Sequence, residues 1–279
     1  DHFKALRLFA NEIGAPVILS PGSTGVLSDT DPKNMHVGGS KGSISGNYAM
    51  QNADAVIMIG TRAVCQADCS GAGYPNAKSV ININGDFDDL THYANTACLP
   101  GDITATLEML LAELNGDRGK KLREPWLEEC HAKKLEWGEF KTTRITAQPI
   151  FDEVWNCPVL TQPSAIHTVA KFANQIEAIK FFDAGDVQAN GFQIVEDHQP
   201  DQTFTETGAS YMGFSGSALL CSAYLKNPKY GIAFTGDGSF MMNPQILIDA
   251  VEHGVKGMIA LFDNRRMAAI TGLQQIQYG

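Results

Sequence analysis

Phe234-Thr235-Gly236-Asp237-Gly238-Ser239-Phe240, followed by Leu261-Phe262-Asp263-Asn264, carries the strongest structural signal in the chain. Each half begins as a short apolar run and ends in a polar turn, as a buried parallel strand does when its carboxyl end opens to solvent. Asp237 and Asn264 are 27 positions apart, enough for one helix and one further strand between them. One strand end therefore delivers a carboxylate and the next an amide oxygen, to the edge where open α/β sheets hold their ligands. Two hard oxygen donors on neighbouring strand ends suit one hard cation. Gly236 and Gly238 let the backbone turn tightly and bring its N–H groups close to an anion. A helix starting near Asn243-Pro244 is expected to add its positive end.

Working outward, the same alternation of apolar runs and amphipathic stretches recurs along the chain and predicts an α/β fold of two doubly wound parallel-sheet domains. In residues 1–116, strands are expected at Pro16–Leu19, Ala55–Ile59 and Ser79–Ile83. Helices are expected over Ser43–Gln51 and from Asp102 to Leu114, the second closed by Asn115-Gly116. Residues 117–158 are charged, hold Trp126 and Trp137, and show weak helical pieces; they read as an interdomain connection. Residues 159–279 begin a second α/β unit. A helix starts at Thr161-Gln162-Pro163-Ser164, then come a strand over Ile179–Asp183, a loop over Ala184–Phe192 and a helix around Ser215–Tyr224. The strand Tyr230–Phe234, a helix from Pro244 to His253 and the strand Gly257–Phe262 complete it. Both ends read as cut: the first residues resemble a helix entered partway, and no final helix is expected before Gly279.

Composition narrows the function. Lys and Arg number 21 against 31 Asp and Glu, a formal charge of −10, which disfavours nucleic acid as a partner. No apolar run approaches the ~20 residues of a membrane span. No signal-peptide pattern opens the chain. The six cysteines, at 65, 69, 98, 130, 157 and 221, contain no C-x-x-C pair and read as buried or free thiols, which points to the cytoplasm. The seven histidines have no metal-ligand spacing; His198, close to the Asp183–Gln188 segment, is the one of interest. A Rossmann dehydrogenase is disfavoured, because no G-x-G-x-x-G follows a strand with an acidic residue ~20 positions on.

The G-D-G segment with its later Asp-Asn resembles the cofactor motif of the thiamine diphosphate-dependent superfamily of acetolactate synthases and 2-oxo acid decarboxylases. The resemblance implies Mg²⁺ held by the side chains of Asp237 and Asn264 and the backbone carbonyl of Arg266. The first asparagine of the family's pair is Asp263 here. Gly208-Ala209-Ser210-Tyr211-Met212-Gly213 is similar to the family segment that bends the cofactor. It implies Met212 as the apolar wedge, with the backbones of Ser210 and Met212 gripping the aminopyrimidine. Asp183-Ala184-Gly185-Asp186-Val187-Gln188 resembles the loop that touches the diphosphate from the other side, implicating Gly185, Asp186, Val187 and Gln188, with Gln188 and the backbone suiting a phosphate better than the Asp186 carboxylate does. Gly236, Gly238, Ser239 and Met267 complete the implied cofactor contacts.

Gln51–Arg62 resembles the superfamily's central domain, which in some members binds FAD and in others ADP or nothing. Val37-Gly38-Gly39-Ser40 lies where FAD-binding members have a related turn, so FAD stays open. The resemblance further implies carboligation or decarboxylation of a small 2-oxo acid, or hydrolytic cleavage of a dione. It also implies a homodimer or tetramer and an activating glutamate on a pyrimidine-binding domain, carried on a longer chain or another subunit. Glu196, Glu206 and Glu252 have no family counterpart in that role. The alternative is a regulatory or nucleotide-binding module that has kept the fold without catalysis.

Overall fold

In the computed structural model, which describes residues 3–62, 64–114 and 119–279, the chain divides into two compact units, 1–139 and 140–279. The expected closing turn Asn115-Gly116 lies outside the described residues, as do Asp1 and His2.

The first unit runs α1 (Lys4–Ile13), β1 (Val17–Leu19), β2 (Asn34–Val37), α2 (Ile44–Asn52), β3 (Ala55–Ile59), α3 (Cys65–Asp68), β4 (Ser79–Asn84), β5 (Thr96–Pro100) and α4 (Ile103–Glu113), and then enters α5 (Lys120–Ile145). β1 and β2 pair in parallel, and β3, β4 and β5 form a second parallel sheet in that order. One face of the β3–β5 sheet is covered by α1 and α4, whose Ala5, Phe9 and Leu107 pack with Ile83 in a core that Ile57, Ile59 and Ile81 extend. Met58, Val80 and Tyr93 fill the opposite face. The caps follow the sequence: Ser43 Oγ accepts from Gly46 N–H and Asp102 Oδ1 from Ala105 N–H, closing the first turns of α2 and α4. β2 and β5 went unanticipated because both are short and polar-interrupted, and their pairing comes from neighbours distant in sequence.

The expected weak helical pieces of the charged connection form instead one helix, α5, of 26 residues. Pro125 sits in its second turn, where it forgoes the hydrogen bond that an N–H there would make to the Lys121 carbonyl. The division between the two units falls within this helix.

The second unit continues with a short antiparallel hairpin, β6 (Ile150–Asp152) and β7 (Cys157–Val159), then α6 (Gln162–Gln175), β8 (Ile179–Phe182), α7 (Asp186–Ile194) and β9 (Thr203–Thr205). After these come α8 (Phe214–Ala218), α9 (Cys221–Tyr224), β10 (Gly231–Gly236), α10 (Asp237–Phe240), α11 (Ile246–Glu252), β11 (Gly257–Phe262) and α12 (Ala268–Tyr278). Its sheet is wholly parallel, in the order β11-β10-β8-β9. Ile166, Ala170 and Ala173 of α6 and Val187 and Ile194 of α7 pack against Phe182, Ile232 and Phe234 on one face. Leu219 and Ala218 pack against Phe181 and Ala233 on the other. Phe182 stacks on Phe234 at 4.3 Å, and Phe234 on Phe262 at 6.0 Å, so an aromatic ladder crosses three strands.

Three expectations are corrected. The loop expected over Ala184–Phe192 is mostly helix α7, for which Gly185, at φ 88°, is the N-cap. With Asn190 and Gly191 in its interior the sequence is a poor helix former, and burial of Val187, Gln188, Phe192 and Ile194 outweighs that propensity. Gly191 is needed there, because a Cβ would stand 2.4 Å from the Phe182 ring. The helix expected around Ser215–Tyr224 is broken into α8 and α9. A terminal helix, α12, occupies the stretch expected to lack one; its Ala, Leu and Gln residues favour helix.

Candidate cofactor and metal site

The strand order locates the site. The chain leaves β8 through α7 to reach β9 on one side, returns across β8 to β10, and leaves β10 toward β11 on the other side. The reversal falls between β8 and β10, and the crevice beyond their carboxyl ends is the topological switch point where doubly wound sheets bind ligands. That crevice is bounded by Asp183-Ala184-Gly185 after β8 and by Asp237-Gly238-Ser239 after β10.

Register brings the metal candidates to the same edge. Gly236 pairs with Phe262, so Asp237 and the pair Asp263-Asn264 emerge from adjacent strands one step beyond their last ladder contact. Asp237 is half-buried, and Asn264 is exposed. Asp263 Oδ1 accepts the N–H of Arg265 at 2.9 Å, and Asn264 Oδ1 accepts that of Arg266 at 3.2 Å. These consecutive side chain-to-backbone turns, with Arg265 at φ 56°, fold residues 263–266 tightly over the strand end. Asp263 is thus engaged with the turn itself, in the same way as Asn264. Asn264 Oδ1 keeps a second lone pair. Among the described residues no group of three or more His, Cys, Asp or Glu is placed to hold a metal. A set of one carboxylate, one amide and one backbone carbonyl is oxygen-only and suits Mg²⁺ with retained waters.

The cradle around this edge is built from glycine and methionine. A Cβ on Gly238 would lie 2.8 Å from Met267 Sδ and 3.3 Å from Met212 Cε, so three separated segments meet at one small spot. A Cβ on Gly236 would lie 3.8 Å from Val187 Cγ2, whereas Gly185 faces open space. The first helical N–H groups after β10 belong to α10, which starts at Asp237, and not to the helix expected from Asn243-Pro244. Ser239 is buried in that turn. Asp186 stands in the first turn of α7, where a carboxylate complements the helix dipole.

Gln188 is wholly buried and already engaged. Its Nε2 donates to Thr205 Oγ1 at 2.7 Å and to the Glu206 carbonyl at 2.9 Å, and its Oε1 accepts from Ser210 Oγ at 3.0 Å. Gln188 therefore holds the segment that carries Ser210 and Met212. His198 is exposed, with its backbone N–H bonded to Gln202 Oε1.

Two carboxylates that the sequence reading left without a role organise the same region. Asp183, fully buried, accepts at Oδ1 from Ala184 N–H (3.0 Å) and Gly213 N–H (2.8 Å), and at Oδ2 from Ser215 Oγ and Thr235 Oγ1 (both 2.9 Å). It ties the end of β8 to β10 and to the turn after Met212. Glu206 accepts at Oε1 from Gly208 N–H (2.6 Å) and Ala209 N–H (3.1 Å), and at Oε2 from Ser210 N–H. Burial raises its pKa, but the N–H donors of Ala209, Gly208, Ser210 and Tyr211 together outweigh that and hold it below the ordinary value. The only sequence signal for Glu206 was a carboxylate two to four residues before a Gly-Ala-Ser turn. A neighbouring hairpin also braces the 263–266 turn: Arg265 pairs with Asp152 at 2.7 Å and lies 5.1 Å over the Trp155 ring.

In the first unit, the Val37-Gly38-Gly39-Ser40 turn is filled by the chain itself. A Cβ on Gly38 would stand 2.4 Å from Met50 Sδ, and one on Gly39, at φ 93°, would stand 2.3 Å from the Gln66 carbonyl. These glycines serve internal close packing, and the turn lends no support to FAD. All six cysteines are free, with Cys130 buried and the others exposed. Among the described residues no helix is long and apolar enough to cross a membrane.

A doubly wound sheet with a glycine-lined switch point and an oxygen-donor edge defines a nucleotide- or diphosphate-type cofactor domain. Residues 1–110 match the family described as thiamine pyrophosphate enzyme, central domain, and residues 183–279 match its C-terminal TPP binding domain. The chain belongs to the thiamine pyrophosphate (thiamine diphosphate) enzyme superfamily, and its second unit carries the domain that binds that cofactor.

Curated relatives agree. A 3D-(3,5/4)-trihydroxycyclohexane-1,2-dione hydrolase of Lacticaseibacillus casei is 26% identical across 99% of this chain and 45% of its own length. One from Listeria monocytogenes serovar 1/2a is 28% identical across 98% and 45%. A probable acetolactate synthase large subunit of Methanocaldococcus jannaschii is 26% identical across 98% and 45%. The chain spans somewhat under half the length of these relatives.

Proposed function

We propose that this chain is the cofactor-binding portion of a thiamine diphosphate- and Mg²⁺-dependent enzyme that makes or breaks a C–C bond next to a carbonyl. The observation that supports the reading is the register of β10 with β11: Gly236 pairs with Phe262, so Asp237 and Asp263-Asn264 follow the carboxyl ends of adjacent strands at the edge flanking the switch point. Asp237, Asn264 and the carbonyl of Arg266 would hold Mg²⁺. Backbone at Gly185–Val187 and Gly236–Ser239 would receive the diphosphate. Met212, in contact range of Gly238 beside Met267, would support the bend of the cofactor, with the backbones of Ser210 and Met212 on its aminopyrimidine. When bound, thiamine diphosphate supplies a carbon nucleophile and an electron sink for C–C chemistry at a carbonyl. The protein's share is binding, orientation and exclusion of water.

The relatives' names join a dione hydrolase to acetolactate synthases, so the substrate we propose is a small 2-oxo acid or a dione. A pyrimidine-binding domain on the same longer chain or on another subunit would supply the activating glutamate. The working assembly would be a cytoplasmic homodimer or tetramer.

The test is a thermal shift with thiamine diphosphate and Mg²⁺ on the full-length protein. Saturation near 100 times Kd stabilises by about 2.7 kcal/mol. Asp237→Ala and Asn264→Ala should each lose this Mg²⁺-dependent shift while melting normally without ligand. An undiminished shift in both variants would refute the metal pair, and no shift in the unmodified protein would refute the cofactor.

A further inference from the structure

We infer that Glu206 is a positioning residue for the aminopyrimidine end of the cofactor: its carboxylate sets the peptide orientation of the Gly208–Met212 segment before any ligand arrives. This rests on the proposed thiamine diphosphate site.

The N–H groups of Gly208, Ala209 and Ser210 converge on the Glu206 carboxylate, and that of Tyr211 adds to them. Successive N–H groups turned to one side form a concave anion-binding nest. In this protein the anion is supplied by the chain. No cis peptide occurs among the described residues, and in a trans peptide the carbonyl points opposite to the following N–H. Turning the N–H groups of Ser210 and Tyr211 toward Glu206 therefore turns the carbonyls of Ala209 and Ser210 away from it. The carbonyl dipoles of the segment are thus fixed in the free protein.

This orientation is not one the segment would hold unaided. Ser210 has φ 54°, a left-handed conformation that is uncommon for a residue with a Cβ and costs free energy to hold. Three constraints are present. Glu206 holds the N–H groups; Gln188, fully buried, holds the Glu206 carbonyl and accepts from the Ser210 hydroxyl; Asp183 holds the N–H of Gly213 just beyond Met212. Asp183 and Gln188 also serve the packing of β8, β9 and β10, whereas among the described residues the hydrogen bonds of the Glu206 carboxylate go into this segment. Removing it frees the segment while leaving the sheet connections in place. The cofactor would then have to order this segment on binding, a cost that preorganisation avoids.

The experiment uses the full-length protein and compares Glu206→Gln and Glu206→Ala with the unmodified sequence. Three quantities are read: amide hydrogen exchange of residues 208–212 without ligand, affinity for thiamine diphosphate with Mg²⁺, and affinity for inorganic pyrophosphate with Mg²⁺. The pyrophosphate probe reaches the metal and phosphate subsites but has no pyrimidine. Exchange at 208–211 should quicken in both variants, thiamine diphosphate binding should weaken at least about tenfold, and pyrophosphate binding should stay unchanged. Gln, which keeps one acceptor oxygen, should lie between the unmodified protein and Ala.

Unchanged exchange overturns the assignment whatever the cofactor. Equal weakening of both ligands also overturns it, since that marks general damage to the domain. If the unmodified protein binds pyrophosphate but not thiamine diphosphate, the cofactor reading fails instead, and the exchange data still report separately on the loop.

Discussion

Replacing Asp183 should separate the skeleton of the site from its ligand contacts. Its carboxylate is fully buried and accepts four hydrogen bonds from Ala184, Gly213, Ser215 and Thr235 at 2.8–3.0 Å. In Asp183→Ala the two hydroxyls can rotate toward other acceptors; Thr235 already has the Gly236 carbonyl at 3.3 Å. The N–H groups of Ala184 and Gly213 cannot rotate, and each buried donor left unpaired costs about 1–3 kcal/mol. Adding the lost charge-assisted bonds gives a destabilisation of about 3–5 kcal/mol. Asp183→Asn keeps Oδ1 for both backbone donors, and its new NH₂ can donate to hydroxyls that turn to accept, so the cost should be about 1–2 kcal/mol. At about 2–4 °C per kcal/mol, Ala should lower the melting temperature by roughly 10 °C and Asn by a few degrees. Urea denaturation followed by circular dichroism measures both. If Ala costs less than about 1 kcal/mol, or Asn costs as much as Ala, the hub assignment is wrong.

Two more outcomes follow from the packing of the same sheet. Lys180 and Asp197 are both wholly buried with Nζ and Oδ1 3.0 Å apart; Lys180 Nζ also donates to Asn174 Oδ1 at 2.7 Å, while neither Asp197 oxygen has a hydrogen bond of good geometry. Asp197→Ala should therefore cost about 3–5 kcal/mol by stranding the ammonium, whereas Lys180→Met combined with Asp197→Leu should be close to neutral; denaturant titration of the single and double variants decides it. Gly191→Ala should destabilise despite a helix-propensity gain of about 1 kcal/mol, because the new methyl would meet the Phe182 ring at 2.4 Å and that ring is locked against Phe234. The expected net loss is about 1–2 kcal/mol, and a variant as stable as the parent would refute the close approach.

The sequence alone determined the secondary elements with strong local signals and the chemistry at their ends. Val-Ile-Met-Ile and Gly-Met-Ile-Ala-Leu-Phe are continuous apolar runs because both faces of a parallel strand are covered, and a polar turn ends each. Asp237 and Asn264 were legible for that reason: each lies one or two residues past a strand whose end the sequence marks. Short or internally conflicted elements were less legible. Asp186–Ile194 contains two of the residues least suited to helix interiors, Asn190 and Gly191, and becomes helix only because Phe182 and the α6 face bury it.

Tertiary structure alone decided what the pieces share. The strand order β11-β10-β8-β9, which makes the crevice between β8 and β10 the switch point, depends on which buried faces fit, and no local pattern encodes that. The same holds for Met212, Gly238 and Met267 meeting at one spot, and for Asp183 binding donors 30 and 52 residues away. Glu206 is the closest case, only two residues from its first donor. Even there the sequence gives a carboxylate before a turn, and only the fold fixes φ at Ser210 so that the amides converge on it. Periodicity and turn chemistry are carried by neighbouring residues, whereas burial and convergence of polar groups arise once distant segments exclude water together.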